Sequence, residues 1–543
     1  MLFTAADIRR AMTGGALSLA GIAFFVGLAI TALLVSGGAS SITAAVTDPY
    51  ILRVLRFTLL QALISTVLSI LFALPVARAL ARQPRFPGRI WIIRLMAVPM
   101  GLPVLIGALG LIGIWGRQGV LNALLLKIGF AEPLSIYGLG GILLAHVFFN
   151  MPLACRLMLA GLERVPGEYW LMAGGLGMRP ASVFRFIEWP VLRAVIPGIA
   201  GLIFMLCATS FTLVLMLGGG PAATTIEVAI YQALRFDFDP GRAVALSLLQ
   251  IAATAVILGF LALLPGAGDD GVTSGKSVRR PDAQMIGVRL ADVAMIFVSV
   301  LFLGLPLLSV VIAGLRADLA KLVMQPVFWR AAGTSLAIAL SAAVLALVLS
   351  VALVRARHLL SLRGSEQRVS GVFFSSMGGA SSLVLLVPPI VLATGWFMAL
   401  REFGDATFFA PVLVVAINTL MSLPFVMRIL EPAYRIHQHR TQRLSASLGI
   451  HGLSRLLRID GPALMKPLFT ALSFAMALSL GDLGAVALFG SDGFITLPWL
   501  VYSSMGSYRT NDADGFALIL GLVCLLLTIA GTTGQVWRET RNG

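Results

Sequence analysis

Charge is what this 543-residue sequence has least of: Asp, Glu, Lys and Arg make up 12% of it, about half the share found in ordinary soluble domains. With 58% hydrophobic residues and a mean hydropathy of +0.95, most of its surface has to face lipid. Cysteine is nearly absent. Cys155, Cys207 and Cys524 lie in or beside apolar runs, without metal-ligand spacing or a disulfide framework, and read as small apolar residues in helix packing. Also missing is any run of basic residues interleaved with aromatics. The net charge of +16 and pI near 10.9 come from basic residues set between apolar runs, which excludes a nucleic-acid footprint.

A complete phosphate-binding loop is lacking too. Gly271-Val272-Thr273-Ser274-Gly275-Lys276-Ser277 resembles one, but Asp270 stands where its first glycine belongs, and no strand precedes it. The stretch therefore does not read as a nucleotide site. No nucleophile–base arrangement and no pair of carboxylates occurs within the apolar runs, so the sequence implies no catalytic residue, no metal and no cofactor. The five histidines, His146, His358, His437, His439 and His451, are scattered. His437 and His439 lie two apart in an Arg-rich stretch, a poor metal geometry on a helix face, and read as solvated or touching lipid headgroups.

What is present is a series of apolar spans. The first, about 15–35, follows Arg9 and Arg10. Small residues follow it at Ser36-Gly37-Gly38-Ala39, as after a cleavable signal. Its length, however, reaches the roughly 20 residues that cross a bilayer, which predicts a retained helix. Further spans lie at about 56–80, 92–115, 136–161, 196–217 and 241–264, and six more at about 286–313, 332–354, 380–400, 409–430, 466–489 and 515–533. Between the sixes, 266–285 is a linker by composition. In lipid, runs this long have to be helices. The sequence predicts an all-α polytopic membrane protein of about 12 transmembrane helices. With the N-terminus inside, 29 of the 40 Lys and Arg residues fall on the inner side, so the positive-inside rule places both termini in the cytoplasm.

The two halves repeat each other. Leu171-Met172-Ala173-Gly174-Gly175-Leu176-Gly177 is followed by Ile187-Glu188-Trp189-Pro190, and Arg443-Leu444-Ser445-Ala446-Ser447-Leu448-Gly449 by Ile459-Asp460-Gly461-Pro462. The glycines and the prolines are each 272 residues apart, as are Pro152 and Pro424, Arg156 and Arg428, Gly218 and Gly490, and Ala245 and Ala517. Near the first helices the register shifts, Thr58 answering Thr334. Six spans return the chain to its starting side, so the repeats are parallel and related by a pseudo-twofold axis along the membrane normal. The repeats are 1–265 and 286–543, with inner loops at about 163–193 and 431–466. Each loop is expected to hold a short helix ended by glycine in the left-handed conformation, then a second short helix closed by Pro190 or Pro462. An interfacial anchor alone would not need glycine and proline at one spacing in both halves.

These loops resemble the cytoplasmic signature of binding-protein-dependent ABC importer permeases: E-A-A, three residues, G, nine residues, I-x-L-P. Gly177, Ile187 and Pro190 match it, as do Gly449, Ile459 and Pro462. Both copies depart at the start, where Leu171-Met172-Ala173 and Arg443-Leu444-Ser445 replace E-A-A; Glu168 lies one turn too early. The stretches Phe204-Met205-Leu206-Cys207-Ala208-Thr209-Ser210-Phe211 and Leu217 to Glu227 are similar to the thiamine/thiamine pyrophosphate permease family. So are Leu480-Gly481-Asp482-Leu483-Gly484, Leu497-Pro498-Trp499-Leu500 and Gly506-Ser507-Tyr508-Arg509-Thr510.

The resemblance implies two fused six-helix permease halves in the bacterial inner membrane, carrying thiamine and possibly its phosphates inward. It further implies two copies of a cytoplasmic ATPase and a periplasmic thiamine-binding protein as partners, besides membrane lipid. Ala173, Gly177, Ile187 and Pro190, with Ser445, Gly449, Ile459 and Pro462, are the expected ATPase-coupling positions. Asp482 is an ionisable residue inside an apolar span, where such residues face a cavity or a partner. It answers Ser210 at the 272 offset, and with Glu227 and Trp499 it is the candidate substrate path. The plainer alternatives for Asp482 are a carboxylate capped by neighbouring polar groups, or gate packing. The outer loops 218–239 and 490–514 combine charged and aromatic residues and suit docking or a lid, or plain scaffolding. Two rivals are a ferric-iron importer permease of the same architecture and a proton-driven secondary transporter. The latter carries an acidic-Arg motif where this chain reads Ala81-Arg82-Gln83-Pro84-Arg85-Phe86-Pro87-Gly88-Arg89.

Overall fold

The computed structural model describes residues 5–130, 132–263, 280–362, 387–401, 404, 406–450, 452–490 and 493–539. Most of the linker 266–285, with Gly271–Ser277 inside it, lies outside the described residues, as do the start of the span at 380–400, His451 and Asp492. Among the described residues there is no strand. The main helices are α1 (Ala5–Thr47), α2 (Pro49–Arg82), α3 (Val104–Trp115), α4 (Leu139–Glu163), α5 (Trp189–Ala208) and α6 (Pro240–Leu263). Then follow α7 (Ile286–Arg316), α8 (Pro326–Leu362), α9 (Pro389–Leu400), α10 (Ala410–Ser447), α11 (Gly461–Gly481) and α12 (Thr510–Glu539). They answer the expected spans one for one. Among the described residues, eleven stretches are long and apolar enough to cross a membrane, and α9 is a shorter apolar helix.

The third span is displaced from its expected place. Residues 92–101 are not its start but belong to two short helices, Arg89–Leu95 and Val98–Gly101, and the apolar crossing runs Val104–Lys127. Pro99 and Pro103 explain the shift, because proline donates no N–H and collides with the preceding turn.

The helices present large apolar residues outward and small or polar ones inward, the reverse of a soluble bundle. Asp48 caps α2 by accepting the Tyr50 N–H at 2.8 Å. Along its buried face run Thr58, Gln61, Ala62, Ser65 and Ser69, while Leu59, Leu63, Val67, Leu71 and Phe72 are exposed. Hydroxyls on that inner face return to the carbonyls one turn earlier, Thr58 to Val54 at 2.8 Å and Ser69 to Ser65 at 2.7 Å. Helices packed by small side chains approach closely, and this contact replaces the hydrophobic drive that lipid does not supply. Cys155, Cys207 and Cys524 are free and buried.

The described chain forms two compact units. One contains 1–46, 230–251 and 317–543; the other 47–229 and 252–316. In the second unit α2, α4 and α5 pack on one another, and in the first α8, α10 and α11 repeat that trio. The opening helices are exchanged between the repeats. α1 belongs with the later helices: Phe25 meets Trp396 of α9 with ring centroids 4.8 Å apart. α7 belongs with the earlier ones and packs along α3 and α2. Each exchanged helix presses on a glycine. A Cβ on Gly110 of α3 would stand 2.5 Å from the Pro306 carbonyl oxygen, and one on Gly395 of α9 would stand 2.5 Å from that of Ala29.

A Gly395→Val variant therefore has to push α1 away. Overpacking of this kind costs about 1–3 kcal/mol, so its melting temperature in detergent is expected to fall by several degrees. Gly333→Val, at a position with open space around it, serves as control; equal melting of the two variants would contradict the contact.

Candidate functional site

Both repeats contain the same backbone construction in the same register. In the first, the helix Gly167–Gly175 ends in a Schellman turn: Met178 N–H bonds the Ala173 carbonyl at 3.0 Å and Gly177 N–H that of Gly174 at 3.0 Å, with Gly177 at φ +61°. In the second, α10 ends likewise, with Ile450 N–H on the Ser445 carbonyl at 3.0 Å and Gly449 at φ +66°. A short helical turn follows, Pro180–Val183 or Gly452–Arg455, then a π-helical turn, Phe184–Glu188 or Leu456–Asp460.

Two expectations are corrected here. The first short helix of the second copy is not separate, because α10 runs unbroken through it to Ser447; Pro166, which precedes the helix in the first copy, has Gln438 as its counterpart. Nor do Pro190 and Pro462 close the second short helix. The helix continues past each of them, over Pro180–Ala208 and through Leu457 into α11. The π turn just ahead of the proline loosens the backbone where its ring would otherwise strike a carbonyl.

Of the expected coupling residues, Ala173 and Ser445 point inward, 3% and 2% exposed. Ile187 packs with Trp170, Ala173 and Val183, forming a small core within the first motif; Ile459 is half-buried, and Gly177, Gly449, Pro190 and Pro462 are exposed. The outward edge is apolar in both copies: Met172 and Leu176 in one, Leu444 and Leu448 in the other.

The π turn ends on a buried acid, Glu188 or Asp460, at the same repeat position. The sequence patterns single out neither, although an acid two residues before each proline was the available signal. Their neutralisation differs. Glu188 is held from outside its motif: it accepts from Arg78 of α2 at 2.7 Å and from Arg280, near the end of the linker, at 2.5 Å. Arg280 also pairs with Asp282 at 2.8 Å and lies 3.9 Å from the Trp170 ring centroid. Burial works against the Arg280 charge, but the hydrogen bond to Asp282 and the charges of Glu188 and Asp282 outweigh it and raise its pKa above the ordinary arginine value. Asp460 is held from within: His437 of α10 contacts it at 2.8 Å, Gln438 at 3.3 Å, and Arg455 of the motif at 3.6 Å. Arg455 also donates to the Gln438 side-chain oxygen. His437 is thus a half-buried partner of Asp460, not a solvated or lipid-facing group.

The fifth span of each repeat breaks at the expected polar position. Ser210 lies between α5 and the short helix Thr212–Leu217, and Asp482 between α11 and Gly484–Phe489. One Asp482 carboxylate oxygen accepts the Gly484 N–H at 3.2 Å; the other is buried and has no hydrogen-bond partner among the described residues. Asp482 is therefore at a helix end, not inside a helix. Trp499, in the same unit, packs on Gly490 and lies 5.9 Å from the Arg235 guanidinium. Ser210 and the buried Glu227 belong to the other unit.

No family model matches the chain. It is 48% identical over 526 residues to the thiamine transport system permease protein ThiP of Brucella abortus, covering 97% of this chain and 95% of that protein. It is 45% identical over 480 residues to the Escherichia coli protein of the same description, covering 88% of each. A molybdenum transport system permease protein of Mycobacterium bovis is 30% identical over 257 residues, 46% of this chain but 92% of its own length, as a one-half permease would be.

The unequal neutralisation has a measurable consequence. Removing one partner of a buried ion pair destabilises its surroundings by about 3–5 kcal/mol. Arg280→Gln is expected to speed amide hydrogen exchange across 167–188 and leave 439–460 unchanged, whereas Arg455→Gln should do the reverse. Equal acceleration of both segments by either variant would refute it.

Proposed function

This chain belongs to the thiamine transport system permease family, and we infer that it is the membrane-spanning subunit of an ATP-driven importer carrying thiamine inward. What supports this most directly is the same turn, π turn and buried acid standing at the same place in both repeats, joined to near-full-length likeness to thiamine permeases. The protein is an integral membrane protein and makes or breaks no bond itself.

On this reading both motifs face the cytoplasm, as do both termini, and the membrane is the bacterial inner membrane. Each motif presents its apolar edge to one copy of an ATPase, and a periplasmic thiamine-binding protein delivers the substrate. The two permease repeats are 1–265 and 286–543. Closure of the ATPase pair moves Gly177 and Gly449 together, and the continuous helices behind them carry that motion to the breaks at Ser210 and Asp482. Asp482 supplies counter-charge to the thiazolium, for which its unbonded, buried oxygen is suited. Trp499 is the other proposed path residue of this unit, and Ser210 and Glu227 are the proposed path residues of the other.

The test is labelled-thiamine uptake in cells lacking their own thiamine permease, with this chain, its ATPase and its binding protein. Uptake is expected, and an ATPase-dead partner should abolish it. Asp482→Asn should weaken apparent affinity for thiamine several-fold with insertion intact. Insertion without thiamine uptake would overturn the substrate, and unchanged affinity in Asp482→Asn the cation contact.

Gly449→Val places a β-branched residue at φ +66°, which costs on the order of 1–2 kcal/mol and deforms the turn. Normal insertion with transport-linked ATP hydrolysis reduced about tenfold is expected; undiminished hydrolysis would argue against the docking role.

A further inference from the structure

We propose that an anionic phospholipid occupies a cavity between α1 and α8, its phosphate held by Arg10 and Arg355. The cavity measures about 400 Å³ and lies within one compact unit. Its two ends differ in chemistry. Ala11 and Gly14 of α1 and Leu347, Val348, Val351 and Ala352 of α8 form an apolar wall. Asp7, Arg10 and Arg355, with the Gly452 turn, form a charged rim.

The charged end comes first along α1 and last along α8, with Gly14 and Ala352 meeting in the apolar part. On α8, seven residues, roughly 10 Å of helix, separate Val348 from Arg355. On α1, Gly14 lies one turn further along than Arg10. A headgroup and the first part of an acyl chain fit that polarity, whereas inorganic phosphate would leave the apolar wall unfilled.

The rim has two guanidiniums against one carboxylate. Arg10 Nη1 and Asp7 Oδ1 both stand near the Gly452 turn, 3.4 and 3.7 Å from where a Cβ on Gly452 would lie, and Arg355 lies beside Tyr434. Asp460, which shares an adjoining cavity with Arg355, is already held by His437 and Arg455, so the lining keeps one positive charge over, which a phosphodiester matches and a zwitterionic headgroup does not. Arginine forks suit phosphate oxygens, and basic groups at the membrane surface favour acidic lipids.

The apolar end opens towards the bilayer. Val348 is 58% exposed, and Leu336, Leu340 and Val344 continue from it at four-residue intervals as an exposed ridge. An acyl chain lying on that ridge would enter the cavity from the side.

The inference takes from the proposed function only the leaflet concerned; binding itself is independent of transport and orientation. Native mass spectrometry of the purified chain in detergent, titrated with phosphatidylglycerol and with phosphatidylcholine of the same acyl chains, tests it. One phosphatidylglycerol is expected to bind at least five-fold more tightly than phosphatidylcholine. The R10Q/R355Q variant should bring the two to parity, and Ala352→Phe, which fills the wall, should remove that bound lipid. Equal binding by the unmodified chain would overturn the proposal, as would a preference that survives either variant. Arg117→Gln, outside the cavity, should keep the preference.

Discussion

Every backbone amide and carbonyl inside a bilayer has to find its partner within the protein, and the breaks in the fifth spans are possible only because neighbouring helices meet that demand. Where α5 ends, the Cys207 carbonyl accepts from Gln61 Nε2 of α2 at 2.9 Å. At the equivalent point of α11, Asn418 of α10 bonds the Ser479 hydroxyl at 2.9 Å and reaches its carbonyl at 3.4 Å. The next helices are served in the same way at their starts. Thr58 accepts the Ile226 N–H at 3.1 Å, and Ser335 accepts the Leu497 N–H at 2.7 Å. Thr58 and Gln61 of α2, Ser335 of α8 and Asn418 of α10 are thus caps for broken helices, and they pin each break to one place.

The motif that precedes each break obeys a similar constraint with charge. A buried carboxylate is tolerated only when paired and hydrogen-bonded. Glu188 meets the condition through α2 and the end of the linker, Asp460 through α10 and its own motif. One backbone shape is therefore braced in two ways. The first motif depends on residues distant in the sequence, and Arg82 with Asp292 at 2.5 Å ties the same end of α2 to α7. The second motif carries its bracing along with it. If both turns meet identical ATPase copies, as proposed, their outward apolar edges can match while their supports differ.

Much of this was legible in the sequence because a few residue types leave little choice. Glycine at 177 and 449, proline at 190 and 462, and polar residues at 210 and 482 set the register of the repeat, and long apolar runs set the helices. Hydropathy counts crossings but says nothing about neighbours, so the exchange of α1 and α7 was not readable. The expected register of the first helices is off by one residue, since the cap that answers Thr58 is Ser335, not Thr334. Pro190 reads as an end because the π turn that accommodates it has no compositional signature. Arg280 escapes notice at the edge of a segment that reads as spacer, 92 residues from Glu188. The bulkier signals were in composition; the finer ones depend on which side chains the fold brings together.

The continuity past the prolines matters for how the breaks can respond. From Pro180 to Ala208 the helix has 29 residues, roughly 44 Å at 1.5 Å per residue, with its loosened turn next to the motif. Beyond that turn only Pro190, next to it, and Pro197 interrupt the regular ladder, and a packed helix moves as a body rather than by bending at every residue. In the proposed mechanism, a displacement of the motif is delivered at Ser210, and in the other repeat at Asp482. The two ends differ in what they can do with it. Ser210 offers a neutral hydroxyl, but Asp482 keeps a buried oxygen without a partner, so any shift there changes the solvation of a charge. A cation entering that break would exchange an unmet acceptor for a paired one. On the proposed path the two repeats are thus functionally uneven at this point, even though the backbone construction of their motifs is the same.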